Sequence, residues 1–182
     1  MLSRMNAIVT ERLTLRQFGP NDLDAYAAMC ADAEVMRYVG DGTPMARDAA
    51  WRELAFFLGH WVLRGYGMWA VEHRASGRLI GRAGFIHPEG WPGLELGWLL
   101  AREGWGQGYA TEACKAALAH ARPRLGTLET ISVIRPANLR SVAVAQRLGA
   151  TLARQVDFMG EQVLVYVHPV TQVRHQGAFG PT

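Results

Sequence analysis

Leu94-Glu95-Leu96-Gly97-Trp98-Leu99-Leu100, Ala101-Arg102-Glu103-Gly104-Trp105-Gly106-Gln107-Gly108, then Tyr109-Ala110-Thr111-Glu112-Ala113: the rest of the chain is organised around this stretch. Its first seven residues are apolar enough for a buried strand. The next eight hold three glycines, which permit positive φ and let backbone come close to a ligand. From Tyr109 the chain turns alanine-rich, and Ala110, Ala113, Cys114, Ala117, Leu118 and Ala121 fall on one helical stripe. The helix is expected to stop at Arg122, because the residue before a proline, here Pro123, avoids the α region. Strand, glycine turn and helix make an anion site, since the first helical amides lack internal partners and carry the positive end of the macrodipole. A Walker loop is excluded, because Gly108 is followed by Tyr109 and Ala110 instead of Lys and Ser/Thr. A dinucleotide fingerprint is excluded too, because Tyr109 or Thr111 stands where it needs a final Gly or Ala.

The totals fit a globular protein. With 182 residues, 49% apolar and 19% charged, the chain is expected to form one domain over residues 1–168, followed by a loose tail from Pro169 to Thr182. The net charge is only +3, and Lys115 is the sole lysine. No basic run points to nucleic acid, so the positive excess is better matched to a small anionic ligand. Cys30 and Cys114 show neither metal spacing nor a disulfide framework, as suits a reducing cytoplasm. No signal core and no apolar run of membrane-spanning length is present, so a soluble cytoplasmic protein is expected. The six histidines are scattered without ligand spacing, so no metal site is expected, and no G-x-S-x-G elbow supports a serine hydrolase.

Alternation from Thr10 to Phe18 predicts a half-buried strand, and Pro20-Asn21-Asp22 predicts a helix start capped by Asn21 or Asp22 and running to about Asp32. Its inward residues would be Leu23, Tyr26, Ala27 and Cys30. A turn-rich connector from Met36 to Pro44 leads to the longest helix, Met45 to Arg64. Ala50, Leu54, Phe57, Leu58 and Trp61 share its apolar face, with Trp51 and Phe56 also expected in the core and His60 among the polar residues. Strands at Met68–His73 and Leu79–Ile86 form a hairpin, and a loop from His87 to Gly93 enters the Leu94 strand. Beyond the Tyr109 helix come a strand at Thr130–Ile134, a helix at Ser141–Leu148 ended by Gly149, and a hairpin of Thr151–Phe158 with Gln162–His168. This order is that of an α+β, or mixed α/β, domain with one central sheet and about four helices.

Trp105-Gly106-Gln107-Gly108-Tyr109-Ala110-Thr111-Glu112-Ala113, preceded by Glu95-Leu96-Gly97-Trp98, resembles the acetyl-CoA pyrophosphate loop of the GNAT superfamily of N-acetyltransferases, Q/R-x-x-G-x-G/A. Gly108-Tyr109-Ala110 matches its second half, and Trp105 replaces its leading Gln or Arg. The wording, with the opening Glu11-Arg12-Leu13-x-Leu15-Arg16, is closest to the subgroup of ribosomal-protein alanine N-acetyltransferases, and the element order matches over residues 8–168. The resemblance implies a mostly antiparallel sheet with one splayed parallel pair, Leu94 with Thr130, at the cofactor site. It implies acetyl transfer to a primary amine in a ternary complex, without a covalent intermediate. The expected acceptor is a protein N-terminus. The alternatives are a small amine, amino acid or antibiotic, or a non-catalytic acyl-CoA-binding module. Partners other than acetyl-CoA and the amine are not expected, and the chain would be a monomer or homodimer.

The resemblance further places pyrophosphate on the backbone from Trp105 and Gly106 through Gln107, Gly108, Tyr109 and Ala110 to Thr111, and pantetheine beside Leu99 and Leu100. Arg102 would add a cation to the phosphates or stand as a solvated loop arginine. Asn138 would hold the pantetheine arm or serve as a turn residue or cap after Pro136. The family's frequent tyrosine acid falls at Ala145, leaving Ser141 as the substitute acid or merely an N-cap. Glu95 is the candidate base, its pKa raised by burial, or else a strand carboxylate paired with Arg82. His87, Glu89 and His73 are weaker candidates. A backbone N–H near Leu99 would take the oxyanion.

Overall fold

The computed structural model describes residues 7–126 and 128–169. Eight strands form one sheet: β1 (Ile8–Val9), β2 (Leu13–Arg16), β3 (Met68–His73), β4 (Arg78–Ile86), β5 (Leu94–Leu100), β6 (Thr130–Ile134), β7 (Thr151–Phe158) and β8 (Glu161–Val167). Their spatial order is β1-β2-β3-β4-β5-β6-β8-β7. Every neighbouring pair is antiparallel except β5 with β6. Five helices flank the sheet: α1 (Leu23–Cys30), α2 (Ala33–Met36), α3 (Arg47–Arg64), α4 (Tyr109–Leu125) and α5 (Leu139–Arg147).

The two faces are filled by different parts of the chain. Ala113, Cys114, Ala117 and Ala121 of α4 lie against Leu13, Leu15, Val71, Phe85, Leu94 and Leu96. The small alanines let that helix lie close to the sheet, which the apolar stripe had predicted. On the opposite face Tyr26, Phe57, Phe18 and Leu54 pack on Met68, Ala70 and Leu99. A third cluster of Ile134, Ala145, Ala150 and Tyr166 sits between α5 and the antiparallel β6–β8 pair, with Trp98 bridging to the α4 side.

Several local expectations give way to tertiary contacts. The strand expected over Thr10–Phe18 is the shorter β2, and Ile8–Val9 folds back to pair with it. Asp22 does not cap α1 with its side chain; its carboxylate accepts from the Gly19 N–H at 2.7 Å and pairs with Arg16. That helix ends at Cys30, two residues before its expected end, and a short α2 capped by Asp32 follows, ending where the connector was expected to begin. Pro123 lies inside α4, which continues to Leu125 and closes where the Gly126 N–H meets Arg122 O at 3.0 Å. Burial of Leu125 in the α4 core outweighs the proline's local preference.

On α3, Trp51 and Phe56 were expected in the core but are 57% and 41% exposed, because the sheet reaches only one side of the helix. His60, expected among the polar residues, is buried. Its Nε2 accepts from the His87 N–H at 2.9 Å, so its Nδ1–H donates to Tyr66 O at 2.8 Å. The pair of bonds ties the end of α3 to the loop that enters β5, and burial holds the imidazole below its ordinary pKa. Asp48 and Arg52 form the expected i,i+4 pair at 2.8 Å. The tail expected beyond Pro169 lies outside the described residues.

Candidate active site

The site is a split in the sheet. The parallel ladder between β5 and β6 consists of Leu94 with Thr130 and Glu95 with Ile131, and beyond Glu95 the two strands part. On its other side β5 stays paired with β4 as far as Gly81 opposite Leu100. Beyond Leu96, whose carbonyl is taken by the Ser132 hydroxyl, Gly97 through Leu100 offer a backbone edge to a slot whose far wall is β6 and α5, with the Leu100 carbonyl itself taken by the Trp105 indole. An extended ligand entering that slot would meet the edge of a strand, as in β-strand addition.

At one end of the slot the Trp105–Gly108 turn leads into α4. Gly106 and Gly108 have φ of 73° and 78°, a region where a side chain is strained, and no atom lies within 4 Å of a Cβ built on Gly106. Gly108 is the N-cap of α4, so the first amides of a seventeen-residue helix open on this turn. Trp105 anchors the turn by donating its indole N–H to Leu100 O at 2.8 Å. The cations nearby are committed differently. Arg12 pairs with Glu112 at 2.6 Å and donates to Gln107 O, bracing the turn from behind. Arg102, expected to meet phosphate, is paired with Asp32 at 2.5 Å. Arg140 of α5 stacks on Trp105 at 4.2 Å and makes no ion pair among the described residues. It was missed in the sequence, where thirty-odd residues separate it from the turn; Trp105 in the place of the motif's Gln or Arg was the only signal.

Glu95 sits at the last rung of the parallel pair, where the split begins. Trp91 donates its indole N–H to the carboxylate at 2.5 Å, and the Val133 amide donates across the split. Burial pushes the Glu95 pKa up to about 7, against the opposing pull of the Trp91 and Val133 bonds and of the Arg82 charge. Gly97 lies two residues on along the same face, and a Cβ there would meet the Met68 methyl at 3.0 Å and the Glu95 carboxylate at 3.9 Å. Arg82 is not its ion-pair partner. Arg82 lies under α1 and α3, 3.6 Å from Glu53, which also accepts from Tyr26. Trp91 in turn meets Phe158 edge to face at 4.9 Å, so the turn of the last hairpin closes over the same end of the slot.

Asn138 is the N-cap of α5, its Oδ1 accepting from the Ser141 N–H at 3.2 Å. Ser141 is therefore not the cap; it lies half-buried in the first turn of α5, on the wall opposite β5. Ala145 is fully buried in the third cluster, beside Tyr166, and its methyl group has no proton to supply. His73 stands away from the slot beside Tyr109, and Glu89 is paired with Arg64. Among the described residues no group of three or more His, Cys, Asp or Glu could hold a metal.

The model of the acetyltransferase (GNAT) domain matches residues 12–151. The chain belongs to the GNAT family of acetyltransferases. A crystal structure of the acetyltransferase from Agrobacterium tumefaciens str. C58 is 32% identical, covers 93% of this chain and 97% of its own, and superposes with a TM-score of 0.81. RimL, a ribosomal L7/L12 alpha-N-protein acetyltransferase solved in complex with coenzyme A, shares the fold at 20% identity, with a TM-score of 0.73 over 90% of this chain and 97% of that one. The uncharacterized N-acetyltransferase p20 of Bacillus licheniformis is 27% identical over 146 residues, which are 79% of this chain and 82% of that protein. This GNAT protein is an N-acetyltransferase whose acetyl donor is acetyl-CoA. The glycine turn at the α4 N-terminus, the open edge of β5 and Arg140, which makes no ion pair among the described residues, fit that donor's phosphates and extended arm. No helix among the described residues is long and apolar enough to cross a membrane.

Proposed function

We propose that the acceptor is the α-amine of a protein N-terminus, with Glu95 as the base that takes its proton. The observation that carries this reading is the carboxylate at the head of the split, held by the Trp91 indole N–H at the last parallel rung and pushed up to about 7 by burial. A peptide α-amine has a pKa of about 7.7–8.0, against about 10.4 for a lysine side chain, so a base poised near 7 is matched to the former.

The residues then divide the work. The turn from Trp105 to Thr111 holds pyrophosphate on Gly106, Gln107, Gly108, Tyr109 and Ala110, and Arg140 supplies the phosphate cation that Arg102 does not. The β5 edge at Leu99 and Leu100 and the side chain of Asn138 align the pantetheine arm, which makes attack effectively unimolecular. The neutral amine attacks the thioester carbonyl, its proton passes to Glu95, and a backbone N–H near Leu99 takes the developing oxyanion. The C–S bond breaks and Ser141 protonates the departing thiolate. One domain ending near residue 168 carries all of this. The two buried free thiols, with Cys30 pushed up to about 11 by burial, are in keeping with work in a reducing cytoplasm.

The test is acetyl-CoA-dependent thiol release with two acceptor panels, peptides with free N-terminal Ala, Ser or Met and small amines or amino acids, each corrected for hydrolysis. Turnover confined to the peptides is expected. Turnover confined to the small amines would overturn the assignment of the acceptor while leaving the donor site untouched.

A further inference from the structure

A buried polar pair outside the reacting groups stands where the sheet opens. Ser132 of β6 is 1% exposed and His168, just past β8, is 2% exposed. The Ser132 hydroxyl donates to Leu96 O at 2.6 Å, and His168 Nε2 lies 2.9 Å from Ser132 Oγ. A hydroxyl has one proton, and here it goes to the Leu96 carbonyl. The serine oxygen must then accept from His168 Nε2–H, which fixes the imidazole tautomer. The ring is held from below by its own backbone, whose N–H donates to Thr130 O at 2.9 Å.

These bonds replace ladder bonds. In a closed parallel pair, the groups that follow the Glu95 rung would bond strand to strand through backbone alone. Here the Leu96 carbonyl takes a side-chain hydroxyl of β6, and the Val133 amide of β6 reaches the Glu95 carboxylate. Each bridge inserts side-chain atoms between the two strands, and the strands diverge at that level. The bridges also satisfy polar groups that an open seam would otherwise leave orphaned in the interior.

We infer that Ser132, backed by His168, is a positioning residue that sets the width of the β5–β6 split and so the fit of the pantetheine arm of acetyl-CoA. The inference rests on the slot being the acetyl-CoA site, as proposed above. Losing the hydroxyl leaves the Leu96 carbonyl and the imidazole N–H without their partner, and the two strands shift to recover a bond. The phosphate turn at the far end of the slot belongs to β5 and α4 and is untouched.

The experiment compares Ser132→Ala with the wild-type protein by calorimetric titration of two probes. Coenzyme A carries the pantetheine arm, and adenosine 3′,5′-bisphosphate lacks it. Coenzyme A is expected to bind about tenfold more weakly, the loss of one buried hydrogen bond, while the bisphosphate binds as before. In turnover, KM for acetyl-CoA is expected to rise while KM for the acceptor is unchanged. Equal weakening of both probes, or unchanged affinity for coenzyme A, would overturn the inference. Should Ser132→Ala not fold, Ser132→Cys, whose thiol is a weak donor to Leu96 O, is read by the same two titrations against the same criteria. Failure of the wild-type protein to bind either probe would instead strike the donor-site assignment itself.

Discussion

Trp91→Phe isolates what tunes the base. The substitution keeps an aromatic ring against Phe158 and removes only the indole N–H that Glu95 accepts at 2.5 Å. That bond favours the ionised carboxylate, so its loss raises the pKa. A hydrogen bond to a charged group contributes about 1.5–3 kcal/mol, and one pKa unit corresponds to about 1.4 kcal/mol. Starting from about 7, the Glu95 pKa should therefore rise by about one to two units. A base half-ionised at neutral pH would become about a tenth to a hundredth ionised, and kcat/KM at pH 7 should fall about five- to fifty-fold. The assay is thiol release as a function of pH at saturating acetyl-CoA, with one peptide acceptor for both proteins so that the ionisation of the amine is common to them. The acid limb of Trp91→Phe should move to higher pH and the rates should converge on the alkaline side. Glu95→Gln should lose the Glu95 component of the limb, leaving only that of the amine, together with about 10²–10⁴-fold in rate. Superposable acid limbs, with Glu95→Gln still active, would refute the assignment of the base.

Two further outcomes follow from groups elsewhere in the chain. Arg140→Ala should weaken coenzyme A about tenfold at low salt, with a smaller difference at high salt, as expected for a phosphate contact from an exposed arginine; titration at two ionic strengths checks it, and unchanged affinity at low salt would remove Arg140 from the site. His168 bears on stability: burial lowers its pKa from 6.5 to about 4, so between those values the unfolded chain binds the extra proton and the folded one does not. Its contribution is fully present above about pH 6.5 and is lost as pH falls toward about 4, a difference of up to about 3 kcal/mol. Urea melts of the wild-type protein and His168→Gln at neutral and mildly acid pH should show a shallower pH dependence for the variant.

What the sequence made legible was whatever local pattern decides alone. The apolar run into three glycines and then alanines placed β5, the turn and α4, because burial, positive φ and helical spacing act within a few residues. Asn138 was readable as a cap for the same reason, and its cap bond to Ser141 settles which of the two is the cap. What escaped was decided across the fold. Arg82 is closer in sequence to Glu95, yet α3 lays Glu53 over β4 and takes the guanidinium. Trp51 and Phe56 have the spacing of core residues, but only one side of α3 meets the sheet. His60 is polar by type and internal by circumstance, because two backbone groups from separate loops converge on its ring. Arg140 entered the site only because α5 brings it over Trp105. Pro123 was read by its local rule, and the burial of Leu125 overrode that rule.

The composition of the surface has a consequence for an enzyme that handles an activated acyl group. Lys115, on the exposed side of α4, is the only lysine in the chain, and all its other basic side chains apart from histidine are arginine. A lysine amine released from its proton is a nucleophile toward thioesters and a common site of acetylation. An arginine guanidinium stays protonated at any physiological pH and offers no free electron pair. The protein thus keeps the positive charge that attracts a polyanionic donor while presenting almost no side-chain amine to that donor's acyl group. Acylation of a side-chain amine is confined to that one exposed helix position, and acylation there would leave every arginine charge in place.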